Sequence, residues 1–190
     1  MDAPAGRQTA AWQSDGRAGR VGELCAVVLA AGAGTRLRPL TNLRPKALCP
    51  VNNVALVDLA IERVAAAVAR DAIAVNVHHG RLQMDAHLHG RVHLSFEEPE
   101  ALGTAGAIGQ LLPWIDGRDV LVVNADAWTP AVLTALLDGD PNRTQLLVTR
   151  DPGRGDFGEW RFAGASFLPW AFARELKPQP SGLYETLWRE

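Results

Sequence analysis

The sequence predicts an α/β fold, a Rossmann-like three-layer sandwich with a mostly parallel central sheet. Two observations support this class. Short apolar runs typical of buried strands alternate with segments of helical periodicity from residue 24 to residue 148. The chain of 190 residues is 47% hydrophobic and 21% charged, which suits a globular domain with a substantial core. Because right-handed crossovers join such alternating elements, most strands run parallel and ligands gather at their carboxyl ends.

Each predicted element rests on a local pattern. The apolar run 24–29 is typical of a buried strand, and Asn53 is placed to cap the first helix. Pro130 suits the first turn of a later helix. In chain order, the predicted elements are strand 24–29, helix 54–70, strand 72–77, helix 80–88, strand 92–96, helix 104–112, strand 120–123, helix 130–137, strand 146–148, strand 160–163 and helix 169–176.

Charge and cysteine content restrict the classes of function. A formal net charge of -2 gives no reason to expect a nucleic-acid partner. Cys25 and Cys49 are the only cysteines, so we expect no disulfide framework and a cytoplasmic location. Residues 1–22 have no apolar core segment, which predicts a disordered tail rather than a signal peptide or a membrane span. Residues 23–190 are predicted to form a single domain, and no membrane partner is expected.

A glycine-rich, cationic loop follows the first strand. Gly32 and Gly34 are expected to let the backbone turn tightly and to bring its N–H groups close to an anion. A dinucleotide-binding loop would need a third glycine, and a Walker loop would need Gly-Lys, which the chain lacks. The pattern therefore favours a loop that binds a nucleoside triphosphate. The cations gathered in the loop are Arg36, Arg38, Arg44 and Lys46.

The loop resembles the signature of the sugar-1-phosphate nucleotidyltransferases. The resemblance rests on Thr35-Arg36-Leu37, Pro39-Leu40-Thr41 and Pro45-Lys46, which follow the glycines in order. It implies transfer of a nucleotidyl group from a nucleoside triphosphate to a sugar 1-phosphate, with release of pyrophosphate. Arg36 and Lys46 match the catalytic basic pair, in which arginine grips the triphosphate and lysine steadies the α-phosphate. The matching nucleotide-binding positions in the loop are Leu29, Ala30, Ala31, Gly32, Gly34 and Thr35.

Asp126 is the candidate metal ligand. It follows the apolar strand 120–123, so it is expected at the ligand edge of the sheet, where a hard cation would bridge phosphate oxygens. It resembles the metal-binding aspartate of the family, which implies Mg²⁺ as cofactor. The alternative is that Asp126 caps the helix that begins near Pro130.

The segment 98–106 resembles the part of the family that contacts the nucleobase. Glu98, Gly103 and Thr104 take the matching positions. A glutamine commonly stands where Glu98 stands in uridylyl and thymidylyl members, so the base is left open, and Glu98 is alternatively a solvated loop charge. Asn76, Asp156 and Glu185 are candidate contacts to the sugar. The alternatives for Asp156 and Glu185 are a turn aspartate and a helix glutamate.

The resemblance ends before the residue that usually completes the metal site. Family members continue to a second metal-binding aspartate, whereas this sequence stops at Glu190. Truncation or an abbreviated family member is our preferred explanation, ahead of replacement by Asp156 or Glu185 and of lost turnover.

The compact uridylyl- and guanylyltransferases are the most similar branch. The alternatives are a catalytically silent nucleotide-binding or regulatory module and a guanylyltransferase for molybdenum cofactor. The base, the sugar and the oligomeric state are not predicted.

Overall fold

A computed structural model describes residues 24–189. Its main sheet has six strands in the order β5-β4-β1-β6-β8-β7. Strands β5, β4, β1 and β6 run parallel, and β8 runs antiparallel to both of its neighbours. The predicted mostly parallel sheet is confirmed. The strands are β1 (Leu24–Leu29), β2 (Pro50–Val51), β3 (Val54–Ala55), β4 (Ile73–Val77), β5 (His93–Phe96), β6 (Asp119–Asn124), β7 (Gln145–Arg150) and β8 (Trp160–Leu168).

Helices cover both faces of this sheet. One apolar cluster contains Val57 and Met84, and the other contains Ile108 and Leu183. The sheet therefore lies between two helical layers, as the predicted sandwich requires. The α-helices are α1 (Leu56–Val64), α2 (Arg81–Leu88), α3 (Gly103–Ile115) and α4 (Trp170–Ala173). Shorter helical turns are the 3₁₀ turns Thr35–Leu37, Leu40–Asn42, Lys46–Leu48, Arg70–Ala72 and Leu133–Leu137, and a π-helical turn at Tyr184–Trp188.

The prediction that Asn53 caps a helix over residues 54–70 is wrong. Asn52 and Asn53 have φ values of 48° and 63° and form the two-residue turn between β2 and β3. Asparagine tolerates this left-handed region well, and two such residues suit a tight hairpin. The helix begins only at Leu56, which the hairpin precedes, and ends at Val64.

The second half of the chain also differs from its predicted elements. The strand predicted over 160–163 continues to Leu168, because β8 pairs with β6 and β7 along its length. The helix predicted over 130–137 is a 3₁₀ turn that begins at Leu133. Helix α3 runs from Gly103 to Ile115 and passes Pro113, which lies in its last turn. Sheet pairing and tertiary packing set these bounds, and local propensity does not reveal them.

The topology gathers several chain segments at one edge of the sheet. The carboxyl ends of β1, β4 and β6 meet there, since these strands are parallel and adjacent. Val123 of β6 pairs with Ala165 of β8, so the beginning of β8 extends past the end of β6. The connection between β7 and β8 therefore projects beyond the same edge. This edge is where ligands bind in open α/β sheets.

The two cysteines are buried and unpaired. Burial raises the pKa of the Cys25 thiol to about 12, so this thiol is not a reactive group. Within residues 24–189, no helix is long and apolar enough to cross a membrane. The tail predicted for residues 1–22 lies outside the described residues.

A stripe of glycines on α3 allows close packing against the chain segment 177–181. A Cβ atom on Gly106 would lie 2.2 Å from the carbonyl oxygen of Gln179, and one on Gly103 would lie 2.5 Å from that of Ser181. Gly109 meets the backbone of Lys177 in the same way. The spacing of three residues keeps these glycines on one face of the helix.

We expect Gly106→Val to lower the free energy of unfolding by about 2 kcal/mol, because backbone atoms must move apart to admit the side chain. Gly153→Val is the matched control, since a Cβ atom there meets nothing within 4 Å. Urea denaturation of both variants measures the difference. Equal stability of the two variants would show that the segment 177–181 does not pack on α3 as described.

Candidate active site

A cleft of about 240 Å³ opens at the carboxyl edge of the sheet. Its walls come from the loop after β1, the 3₁₀ turn at Lys46 and the turn after β6. The cleft brings together most of the residues predicted from the loop motif, with Asp126 from a distant part of the chain. The predicted residues that line it are Leu29, Ala30, Gly32, Gly34, Thr35, Arg36, Lys46 and Asp126.

The two loop glycines play different structural roles. Gly34 has a φ of 62°, and its carbonyl oxygen accepts hydrogen bonds from the Thr41 hydroxyl and from the Leu37 N–H, both at 2.9 Å. A Cβ atom on Gly34 would lie 2.8 Å from Cβ of Lys46. Gly32 has no positive φ, and a Cβ atom there would meet nothing within 4 Å. Only Gly34 thus needs to be glycine for the turn itself.

Substitution of these glycines is expected to separate folding from binding. Gly34→Ala should lower stability and displace Lys46, because the new Cβ has no room and the backbone is left-handed. Gly32→Ala should leave the melting temperature unchanged, because its methyl group meets no other atom of the protein. It should raise KM for a triphosphate, because the methyl group enters the cleft in which we expect the phosphates to bind. Thermal melting and steady-state kinetics measure both effects. An unchanged KM for Gly32→Ala would place the phosphates elsewhere.

Lys46 and Asp126 form an ion pair in the cleft. The lysine side chain is 25% exposed and the aspartate side chain 39%, so both are open to a ligand. The turn that carries Asp126 is fixed on both sides. The Ala125 N–H donates to the carbonyl oxygen of Leu29 at 3.0 Å, and Nη1 of Arg63 donates to that of Ala127 at 3.0 Å.

Arg63 holds the turn after Asp126, and the sequence did not reveal this contact. It comes from α1, and one end of its guanidinium binds the turn after Asp126. Nη2 is buried and has no hydrogen-bond partner among residues 24–189. Desolvation by burial lowers the pKa of Arg63 from its usual value. No motif could have found this residue, because it lies 63 positions before Asp126 in the chain.

Arg36 lines the cleft as an exposed cation. Among residues 24–189, no carboxylate pairs with Arg36, Arg38 or Arg44. Arg38 and Arg44 are exposed on the same loop but do not line the cleft. The positive charge of the cleft therefore comes from Arg36 and Lys46, and its negative charge comes from Asp126.

The residues predicted to contact the base do not line this cleft. Glu98 is exposed and pairs with Arg81, whose guanidinium stacks 4.3 Å from the ring centre of Phe96. Gly103, with a φ of 70°, is the first residue of α3. The Thr104 hydroxyl accepts a hydrogen bond from the Leu183 N–H at 2.8 Å. These three residues lie at the end of β5 and the start of α3.

The predicted sugar-binding residues are also outside the cleft. Asn76 is only 3% exposed, and its amide is held between the Ala30 N–H and a buried glutamate. It therefore lies behind the loop, which does not suit a direct sugar contact. Asp156 accepts a hydrogen bond from the Phe162 N–H at 2.9 Å, in the connection that projects beyond the sheet edge. Glu185 is exposed in the π-helical turn near the end of the described residues.

The carboxylate that sequence reasoning missed is Glu97, the neighbour of Glu98. It is 1% exposed, and both of its oxygens accept hydrogen bonds. No local signal marked it, because Asn76 meets Glu97 only through the pairing of β4 with β5. Within the described residues, no group of three or more His, Cys, Asp or Glu side chains could hold a metal ion. Asp126 is the single carboxylate of the cleft.

Comparison with known protein families decides the classification of this site. The family described as nucleotidyl transferase matches residues 25–152, which include the loop and Asp126. The chain belongs to the nucleotidyl transferase family. Members of this family bind a nucleoside triphosphate and a sugar phosphate and generally use a divalent metal.

Related nucleotidyl transferases act on sugar 1-phosphates. The chain is 35% identical over 171 residues to the N-acetylmuramate alpha-1-phosphate uridylyltransferase of Caulobacter vibrioides, covering 80% of this chain and 70% of that protein. It is 36% identical over 115 residues to the protein of the same name from Neisseria meningitidis serogroup B, covering 58% of this chain and 50% of the relative. A mannose-1-phosphate guanylyltransferase of Mycobacterium tuberculosis is 31% identical over 118 residues, which are 60% of this chain and 33% of that protein.

Solved structures of other proteins share the fold. HddC from Yersinia pseudotuberculosis, solved in complex with GMP-PN, superposes with a TM-score of 0.70 at 16% identity, over 87% of this chain and 85% of that one. The CTP:phosphocholine cytidylyltransferase LicC of Streptococcus pneumoniae has a TM-score of 0.59 at 23% identity, over 80% and 74% of the two chains. The predicted family, fold and reaction class, nucleotidyl transfer to a sugar 1-phosphate, are confirmed.

Proposed function

We propose that the protein transfers a uridylyl group from UTP to an N-acetylated amino-sugar 1-phosphate of the N-acetylmuramate type. The observation that carries this proposal is the cleft in which Arg36, Lys46 and Asp126 meet at the carboxyl edge of the sheet. The choice of uridylyl rests on the 35% identity to the Caulobacter uridylyltransferase over 80% of this chain.

In this proposal each charged group of the cleft has one task. Arg36 grips the β- and γ-phosphates of the triphosphate. Lys46 binds the α-phosphate and stabilises the charge that develops on it when a sugar phosphate oxygen attacks, and pyrophosphate leaves on the opposite side. The loop backbone near Gly32 supplies N–H donors to the same phosphates.

Asp126 would hold Mg²⁺. Its carboxylate oxygens suit a hard cation, and one or two carboxylates together with substrate phosphates commonly suffice to bind Mg²⁺. When bound, the metal neutralises phosphate charge and orients the triphosphate. The single carboxylate of the cleft would therefore bind Mg²⁺ together with the phosphates of the triphosphate.

The ion pair between Lys46 and Asp126 prepares both groups for these tasks. A partly exposed pair contributes little to stability, so separating it costs little. Lys46 would exchange Asp126 for the incoming α-phosphate, which would leave the Asp126 carboxylate free to hold Mg²⁺. Triphosphate and metal should therefore bind better together than either does alone.

The remaining assignments extend the site along the sheet edge. Glu98 would accept the N3–H of uracil, with Gly103 and Thr104 supporting the base. Asp156 and Glu185 would contact the sugar half from the β7–β8 side, where the Tyr184 hydroxyl already donates to the carbonyl oxygen of Asp156 at 3.3 Å. We also propose that residues 23–190 act as one domain. A cytoplasmic location suits the two free cysteines, because the cytoplasm keeps thiols reduced.

A substrate panel tests the proposed function. Pyrophosphate release is measured with UTP, dTTP, GTP, CTP and ATP against the 1-phosphates of N-acetylmuramate, N-acetylglucosamine, glucose and mannose, with Mg²⁺ and with a chelator. We expect metal-dependent release with UTP and an N-acetylated amino sugar. Release with GTP and mannose 1-phosphate would assign the other branch. Binding of triphosphates without any release would favour the silent nucleotide-binding module.

A further inference from the structure

Glu97 is a buried carboxylate between two halves of the ligand edge. Its side chain is 1% exposed, and within residues 24–189 no Lys or Arg pairs with it. Oε1 accepts a hydrogen bond from Nδ2 of Asn76 at 2.7 Å, and Oε2 accepts one from the Leu102 N–H at 2.8 Å. Burying a carboxylate is costly, so neutral donors alone must compensate it here.

One arm of this arrangement reaches the floor of the cleft. Oδ1 of Asn76 accepts a hydrogen bond from the Ala30 N–H at 2.7 Å. Ala30 directly follows β1 and lines the cleft. The orientation of the Asn76 amide is fixed because one end must accept from Ala30 and the other must donate to Glu97.

The other arm reaches the segment that begins α3. Leu102 precedes Gly103, and its carbonyl oxygen accepts a hydrogen bond from the Ser181 N–H at 3.0 Å. Glu97 also offers its own carbonyl oxygen to Nδ1 of His78 at 2.8 Å. The backbone at the start of α3 is thus held by the same side chain that orients Asn76.

Only a carboxylate satisfies this position. Asn76 and the Leu102 N–H both present donors, and Glu97 meets them with two acceptor oxygens. A glutamine of the same size has one acceptor and one donor, so it leaves a donor facing a donor in a buried site. An apolar residue would leave both donors without partners.

We propose that Glu97 is a positioning residue that couples the phosphate loop at Ala30 to the segment 102–104, so that one buried carboxylate sets the triphosphate site and the base site in register. The inference rests on the proposed binding of a nucleoside triphosphate at this edge. It does not require that the protein turns the nucleotide over. Glu97 acts through Asn76 and Leu102 and touches no substrate.

A reversal of the hydrogen-bond polarity tests the coupling. In Glu97→Gln the new NH₂ group is a donor that must face either the NH₂ group of Asn76 or the Leu102 N–H, which are also donors. A double variant combines Glu97→Gln with Asn76→Asp. Its new carboxylate accepts from both the Ala30 N–H and the new glutamine amide, and the glutamine oxygen accepts from the Leu102 N–H. The double variant therefore keeps the size and charge of the network and restores each hydrogen bond.

We expect Glu97→Gln to weaken UTP binding in isothermal titration calorimetry by about tenfold, and the double variant to return to within about twofold of the native protein. In steady state, KM for UTP should rise with little change in kcat. Thermal melting of each variant is recorded in parallel, since a purely structural role would lower the melting temperature without changing the affinity of the folded protein.

Two results would overturn the coupling. One is native UTP affinity in folded Glu97→Gln, and the other is a double variant that binds no better than the single one.

If Glu97→Gln does not fold, Asn76→Asp replaces it as the disrupted variant, because it sets two carboxylates side by side. Failure of the double variant to fold would contradict the restored network. Because UTP affinity is the readout, a protein that binds UTP but transfers nothing to a sugar refutes the proposed function and leaves this test intact.

Discussion

Lys46→Met is expected to lower kcat/KM for pyrophosphate release by about 10²–10³-fold, the usual effect of removing one group that stabilises developing charge. Lys46 supports the α-phosphate in our account, and methionine keeps the aliphatic length without the charge. Stability should change little, because the ion pair that Lys46 forms with Asp126 is partly exposed. Steady-state kinetics with thermal melting measures both quantities.

Arg44→Met is the matched control for this variant. Arg44 belongs to the same cationic loop, is exposed and does not line the cleft. We expect its kcat/KM to stay within about twofold of the native value, since an exposed charge outside the cleft is strongly screened. Equal losses in the two variants would mean that the loop acts through its total charge and that Lys46 has no special position.

Asp126→Asn is expected to lower the rate at saturating substrates by about 10²–10³-fold and to raise the Mg²⁺ concentration needed for half-maximal rate. The amide keeps the size of the side chain but loses the charge that would hold the metal. A Mg²⁺ titration of the pyrophosphate-release rate measures both effects.

Asp71→Asn provides the comparison for this charge change. Asp71 is exposed in the 3₁₀ turn before β4, at the opposite edge of the sheet. Its Mg²⁺ titration should match that of the native protein. If Asp126→Asn also matches the native titration, Asp126 is not the metal ligand.

The sequence predicted the parts of the fold and site that depend on local pattern. Continuous apolar runs revealed the central strands, because strands buried on both faces leave little choice of residue. The loop from Gly32 to Lys46 was predictable because its motif residues stand within a short stretch, and most of them line one cleft. Asp126 was predictable from its place after an apolar strand, since the carboxyl ends of parallel strands share one edge.

Contacts between distant residues account for what was missed. Glu97 and Glu98 are adjacent and chemically identical, yet one is buried against Asn76 and the other pairs with Arg81 on the surface. Nothing local distinguishes them, because only the packing of β4 beside β5 creates the donors that Glu97 meets. Asn53 misled for a related reason, since asparagine suits a helix cap and a left-handed hairpin turn equally well.

The most direct test of the account follows oxygen atoms through the reaction. A sugar 1-phosphate labelled with ¹⁸O in its non-bridging phosphate oxygens is incubated with UTP, Mg²⁺ and the protein, and the products are analysed by mass spectrometry. Attack of the sugar phosphate on the α-phosphorus predicts a nucleotide-sugar that retains the whole label and pyrophosphate that contains none. Unlabelled nucleotide product, or pyrophosphate released without any nucleotide-sugar, would contradict nucleotidyl transfer in this cleft.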